Sequence, residues 1–148
     1  MKYVFLISIT LFLVMSAGAQ TATQKNSAEK ELQQLMNDWM IAVKNKDEKT
    51  LNKIVAPEFK LDGTSDLERP ALPRDIWMKN TLGALKIDSV GYTKMKIDVI
   101  GTTAVVRSVF YWAGSFMEKS FVDSGVIIID TWMLRKAGWQ VVSRITVD

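Results

Sequence analysis

Asp130 and Arg144 are the charged residues whose spacing most readily brings them together. A three-residue Lys136-Ala137-Gly138 loop with Arg135 opposite Trp139 would set Asp130 directly across from Arg144 on the neighbouring strand. A carboxylate facing a guanidinium there reads as a cross-strand ion pair, with a polar anchor in a pocket as the alternative. Asp62 precedes Gly63 at a strand end, where aspartates accept backbone N–H bonds in turns. Arg107 alternates with Val105, Val109 and Tyr111, and its partner is either a ligand carboxylate or a neighbouring acid. Lys44, Lys46, Lys49 and Lys53 are interleaved with Asp47 and Glu48, the pattern of a solvated helix face rather than a lipid- or nucleic-acid-binding patch. The chain has no histidine and no cysteine. Disulfides, thiolate nucleophiles, Ser-His-Asp triads and nearly all zinc and haem sites are thereby excluded, so no metal and no cofactor are expected. Any catalysis has to run on carboxylates, Tyr, Lys or Arg.

The elements that must position these residues begin after a separate N-terminal segment. Lys2, an apolar run from Tyr3 to Met15 and the small-residue stretch Ser16-Ala17-Gly18-Ala19 form the pattern of a cleaved signal peptide over residues 1–19. The run of about 13 residues is short of the roughly 20 that span a bilayer. No cysteine follows it to carry a lipid, so no stable membrane anchor is expected after cleavage. The expected location is periplasmic or secreted, in a bacterium. Residues 20–26 read as a flexible lead-in and residues 27–148 as a single domain. With 19 Lys and Arg against 16 Asp and Glu, the formal charge of +3 is too mild and too evenly spread for a nucleic-acid binder.

Ser27 is placed to cap a helix whose apolar stripe is Leu32, Leu35, Met36, Trp39, Met40 and Val43. Asn45-Lys46-Asp47 breaks it, and Asp47 caps a second helix with Leu51, Ile54 and Val55 that Pro57 stops. A short strand over Glu58 to Asp62 ends at Gly63, and Pro73 opens a third helix with Ile76, Trp77, Leu82 and Leu85. From Ile87 the period becomes two, with a phase change that places a bulge near Thr93 or Lys94. Further strands are expected over Thr102 to Trp112, Phe121 to Leu134 and Trp139 to Thr146, at hairpin separations.

Lys46-Asp47, Pro57-Glu58-Phe59-Lys60-Leu61-Asp62-Gly63, the helix around Trp77, Asp130-Thr131-Trp132 and Gly138-Trp139-Gln140-Val141-Val142-Ser143-Arg144 follow one another in an order that resembles the nuclear transport factor 2-like superfamily, in particular its SnoaL-like branch and exported domains of unknown function. The resemblance implies an α+β fold: a cone of three N-terminal helices packed on a strongly bent antiparallel sheet around one apolar pocket. It also offers a test of catalysis. The general base of the ketosteroid-isomerase-like members falls on Asp62, but their oxyanion tyrosine falls on Trp39 and their protonated aspartic acid on Ile127, so the two-donor oxyanion arrangement is missing. The histidine of dehydratase-like members is absent, and the Asp-Arg-Asp set of epoxide-hydrolase-like members finds no placement.

In such a cone some core aromatics also form the pocket wall. Trp39, Phe59, Trp77 and Tyr111 are expected there, with Ile127, Ile129 and Thr131 as the inward set of their strand, since the isomerase alignment puts Ile127 inward. The expectation is a domain that holds a small apolar molecule. A cofactor-free isomerase or dehydratase using Asp62 as base is the alternative, and a structural or protein-interaction module the second. Because the later strands are apolar on both parities, a homodimer through the outer sheet face is expected.

Overall fold

The computed structural model describes residues 12–65 and 68–147, with side chains from residue 22 onward. Helix α1 (Phe12–Asn45) is followed by α2 (Glu48–Ile54), strands β1 (Val55–Gly63) and β2 (Leu72–Pro73), helix α3 (Arg74–Leu82), and strands β3 (Leu85–Ile100), β4 (Thr103–Phe116), β5 (Lys119–Arg135) and β6 (Gly138–Val147). Most of the signal-peptide segment lies outside the described residues. Residues 20–26, read as a lead-in, are helical, and Ser27 caps nothing. No glycine or proline interrupts Ala19 to Asn45, so nothing stops the helix from extending N-terminally through them.

The six strands form one sheet in the order β2-β1-β6-β5-β4-β3. It is mixed rather than antiparallel, because β1 runs parallel to its neighbour β6. Nor do three helices precede the sheet: α3 follows β1 and β2, and its apolar side returns onto β1 and β3. A parallel neighbour needs a long crossover, and the segment from β2 through β5 supplies it.

Several local readings hold. Asp47 caps α2 by accepting from Thr50 N at 3.1 Å and Thr50 Oγ1 at 2.6 Å. The β3–β4 register shifts between Tyr92 and Lys94, at the expected bulge. The Gly114-to-Ser120 loop, by contrast, is a two-residue turn: Met117 and Glu118 have φ of 49° and 66°, so the strands continue almost to the tip. Gly114 thus lies within β4 opposite Ile87 of β3, where a Cβ would sit 2.0 Å from the Lys86 carbonyl oxygen.

The helices cover one face of the sheet, and α1 places Leu32, Met36 and Trp39 fully inside the core. Trp132 is equally buried, with its ring 6.0 Å from that of Trp39. Each such indole removes roughly 150–250 Å² from water, on the order of 4–6 kcal/mol at about 25 cal/mol per Å², before the entropy cost of ordering it. The core therefore centres where Trp39 of α1 meets Trp132 of β5.

Candidate functional site

Beside this aromatic centre lies a cavity of about 320 Å³. Its walls are Met40 and Val43 from α1, Trp77, Asn80 and Thr81 from α3, and Leu85, Ile87 and Val90 from β3. Phe110, Trp112 and Phe116 from β4, Val126 and Ile128 from β5, Leu61 and Leu72 from the short strands, and Arg144 and Thr146 from β6 complete it. The volume is at the small end for ligand sites and suits a compact molecule of one or two rings or a folded chain. Arg144 is the sole charged residue among these described lining residues.

Arg144 is held by Asp130, directly opposite it on β5. The Nε donates to Oδ1 at 2.7 Å and Nη2 to Oδ2 at 2.8 Å, a two-point contact with a carboxylate that has no exposed surface. Asp130 and Arg144 thus face each other as the sequence spacing predicted, by a different route. The β5–β6 turn is one residue tighter than expected, with Arg135 opposite Gly138, and a register shift beside Trp132 restores the difference. The guanidinium carbon lies 3.9 Å from the centroid of Trp39, and Nη2 reaches the Tyr92 hydroxyl at 3.4 Å. Burial pushes the Asp130 carboxyl upward, against the pull of Arg144. Burial also opposes the Arg144 charge, but Asp130 more than restores it, and Arg144 stays protonated. Burial pushes Tyr92 up to about 12. Next to this polar cluster Trp39 Nε1, Trp132 Nε1 and Ser108 Oγ are buried without hydrogen-bond partners among the described residues.

Of the residues expected at the pocket, Trp77 lines it, while Trp39 and Phe59 stand directly behind it: the Phe59 and Trp77 rings are 5.3 Å apart, and those of Trp39 and Phe59 5.9 Å. Tyr111, Ile127, Ile129 and Thr131 are on the opposite face of the sheet, and Ile127 is 47% exposed. The inward set is Ile128, Asp130 and Trp132. The far larger area of Trp132 than of Thr131 decides which parity turns to the core. A bulge at Gly125, where φ is +81°, then reverses the phase, so that Phe121 faces in and packs on Trp112 at 4.5 Å. Tyr111 has its own outer-face partner. It lies across from Gly91, over the space that a Cβ on Gly91 would occupy at 2.6 Å from the hydroxyl.

Asp62 is also corrected. It is exposed, accepts the Gly63 N–H at 2.9 Å, and lines an adjoining recess with Arg69 and Pro70 that shares Leu61, Leu72 and Thr146 with the apolar cavity, rather than the cavity itself. Phe59 and Leu61 take the inward parity of β1, which leaves Asp62 pointing away. Arg107 meets a neighbouring acid, Asp98, at 2.8 Å on the outer face. Lys44 and Lys46 do more than coat a helix: their Nζ atoms donate to the carbonyls of Asp88 at 2.8 Å and of Leu82 and Gly83 at 3.0 Å, the last two closing the end of α3. Among the described residues no three carboxylates gather as a metal site would need.

The missed wall residues had a signal. Ser124-Gly125 inside a strand marks a bulge, and a strand tryptophan such as Trp132 marks the core face. Used together they assign Ile128 and Asp130 inward without reference to any family.

No protein-family model matches the chain, and no curated protein does. Solved structures do match it in shape. An NTF2-like protein from Cytophaga hutchinsonii superposes with a TM-score of 0.73 at 16% identity, over 80% of this chain and 96% of that one. An NTF2-like protein of unknown function in nutrient uptake from Rhodospirillum rubrum gives 0.67 at 18% identity, over 76% and 93%. A candidate ketosteroid isomerase from Shewanella frigidimarina gives 0.55 at 14% identity, over 76% and 91%. Likeness at these identities lies in backbone architecture and leaves the role open. The chain has the nuclear transport factor 2-like fold.

Proposed function

We propose that this domain binds a small, mostly apolar molecule in the cavity between α1, α3 and the sheet. The observation that carries the reading is the cavity wall itself: thirteen of its seventeen side chains are apolar, and the four others are Asn80, Thr81, Arg144 and Thr146. Burying an apolar ligand of this size releases ordered water from both surfaces, while the few polar groups orient it. Proton transfer by Asp62 is the weaker reading, because its carboxylate lies outside the cavity and a general base must be within hydrogen-bond reach of its proton. Asp130 does not substitute for it, since Arg144 occupies both of its oxygens.

The test is titration with N-phenyl-1-naphthylamine, an apolar dye that fluoresces on leaving water. Saturable uptake is expected, and Val90→Phe, which fills the cavity from β3, should weaken it at least about tenfold, roughly 1.4 kcal/mol. Unchanged uptake by a folded Val90→Phe protein would place the dye elsewhere.

As part of the same reading, the domain is exported and works in the periplasm or outside the cell as a SnoaL-like binding protein. Among the described residues no helix is long and apolar enough to cross a membrane. Mass spectrometry of the exported protein should find Gln20 at or next to its N-terminus; a mature chain retaining Lys2 would refute processing there.

A further inference from the structure

The cavity wall contains a cation whose charge is already taken. Arg144 is the sole charged group among the described lining residues, and both oxygens of the fully buried Asp130 hold it through Nε and Nη2 at 2.7 and 2.8 Å. The Trp39 ring covers its guanidinium carbon at 3.9 Å. A lone arginine in an apolar cavity would favour a carboxylate or phosphate ligand. A paired one does the reverse.

We infer that the cavity selects uncharged ligands bearing a hydrogen-bond acceptor, such as a hydroxyl, ether or carbonyl oxygen, and that the Asp130–Arg144 pair is the specificity device that rejects both anions and cations. This rests on the binding reading above and names the class of ligand. An anion entering the cavity would face one cation already neutralised by Asp130, so the buried cluster would gain a net negative charge with no countercharge among the lining residues. A cation would meet the guanidinium itself, with the Asp130 carboxylate behind it and fully occupied. A neutral oxygen acquires no such penalty. It can accept from Asn80, Thr81 or Thr146, whose side chains are uncharged, or from a guanidinium that ion pairing has polarised. Selection by the unfavourable element as well as by the favourable one is what gives a small pocket discrimination.

Three ligands with the same ten-carbon chain separate charge from size: decanol, decanoate and decylamine, each displacing N-phenyl-1-naphthylamine from the full-length mature protein at pH 7. Decanol should displace the dye at a concentration at least about tenfold below the other two. Asp130→Asn should raise decanoate to at least equality with decanol, because Arg144 then carries an uncompensated charge. Decanoate or decylamine matching decanol on the wild-type protein would overturn the inference, and that comparison needs no variant to fold. An unaltered ratio in Asp130→Asn, shown folded by circular dichroism, would overturn the role given to the pair. If the dye fails to bind wild type at all, the pocket reading falls first and this inference with it.

Discussion

Two aspartate–arginine pairs bridge strands of this one sheet, on opposite faces. Asp130–Arg144 lies inward, with side chains 0% and 9% exposed, and makes two parallel bonds. Asp98–Arg107 lies outward, 40% and 50% exposed, with one bond at 2.8 Å and Lys96 nearby. The chemistry is the same and the consequences are not. On the outside, water solvates either partner when the other is lost, so the pair contributes little. On the inside, removing one partner strands a charge where nothing replaces its hydration. The inner pair is therefore a constraint on what the cavity accepts, whereas the outer pair is surface decoration.

The sharpest way to break this comparison is Arg144→Met. It should destabilise the protein by about 3–5 kcal/mol in urea denaturation, and Asp130→Leu combined with it should recover most of that loss. Asp98→Ala on the outer face should cost no more than about 1 kcal/mol, a shift in melting temperature of at most about 4 °C. A mild effect of Arg144→Met would mean that water reaches the inner pair.

The next effect in size belongs to Tyr92, which packs against the inner pair. Its phenol ionises near 10 in the unfolded chain and at about 12 in the fold, where burial is the main cause. The unfolded state therefore loses its proton first, and the contribution is fully present below pH 10 and is lost as pH rises through 12. Stability should fall across that window by on the order of 2 kcal/mol, and Tyr92→Phe should flatten the fall. Equal alkaline slopes in both proteins would show that Tyr92 is hydrated.

The outer face allows a third test. Ile127 and Ile145 are exposed, and the cross-strand pairs Val109–Ile127 and Ile129–Ile145 join them into an apolar strip. A homodimer through this face is expected, and Ile129→Lys should weaken it at least about tenfold in sedimentation equilibrium. A wild-type monomer at high micromolar concentration would remove the dimer from consideration. The smallest effect is expected from Asp62→Asn, which keeps the turn acceptor: stability within about 0.5 kcal/mol of wild type and unchanged dye affinity. A tenfold change in affinity would instead show that the dye reaches from the cavity into the Asp62 recess beside it.

The residues differ in how plainly they announced these positions. The stripe from Leu32 to Val43, the Asp47 cap and the bulge after Tyr92 were readable because each depends on neighbours within a turn or a pleat. Asp130 opposite Arg144 was readable from strand pairing, although the tighter turn and the compensating register shift were not. Asp62 was misplaced because a family position was carried onto a strand whose inward residues are Phe59 and Leu61.

Local order along the chain thus determined an α+β domain with its helices, its hairpins and the pairing of Asp130 with Arg144, since periodicity and turn chemistry are short-range properties. Which face of β5 became the cavity wall was settled only when Trp39 of α1 packed on Trp132 and α3 closed the cavity lined by Ile128. Trp132 and Gly125 mark the favoured face in the sequence, but both parities of that strand are apolar, and only the elements that cover one side commit it.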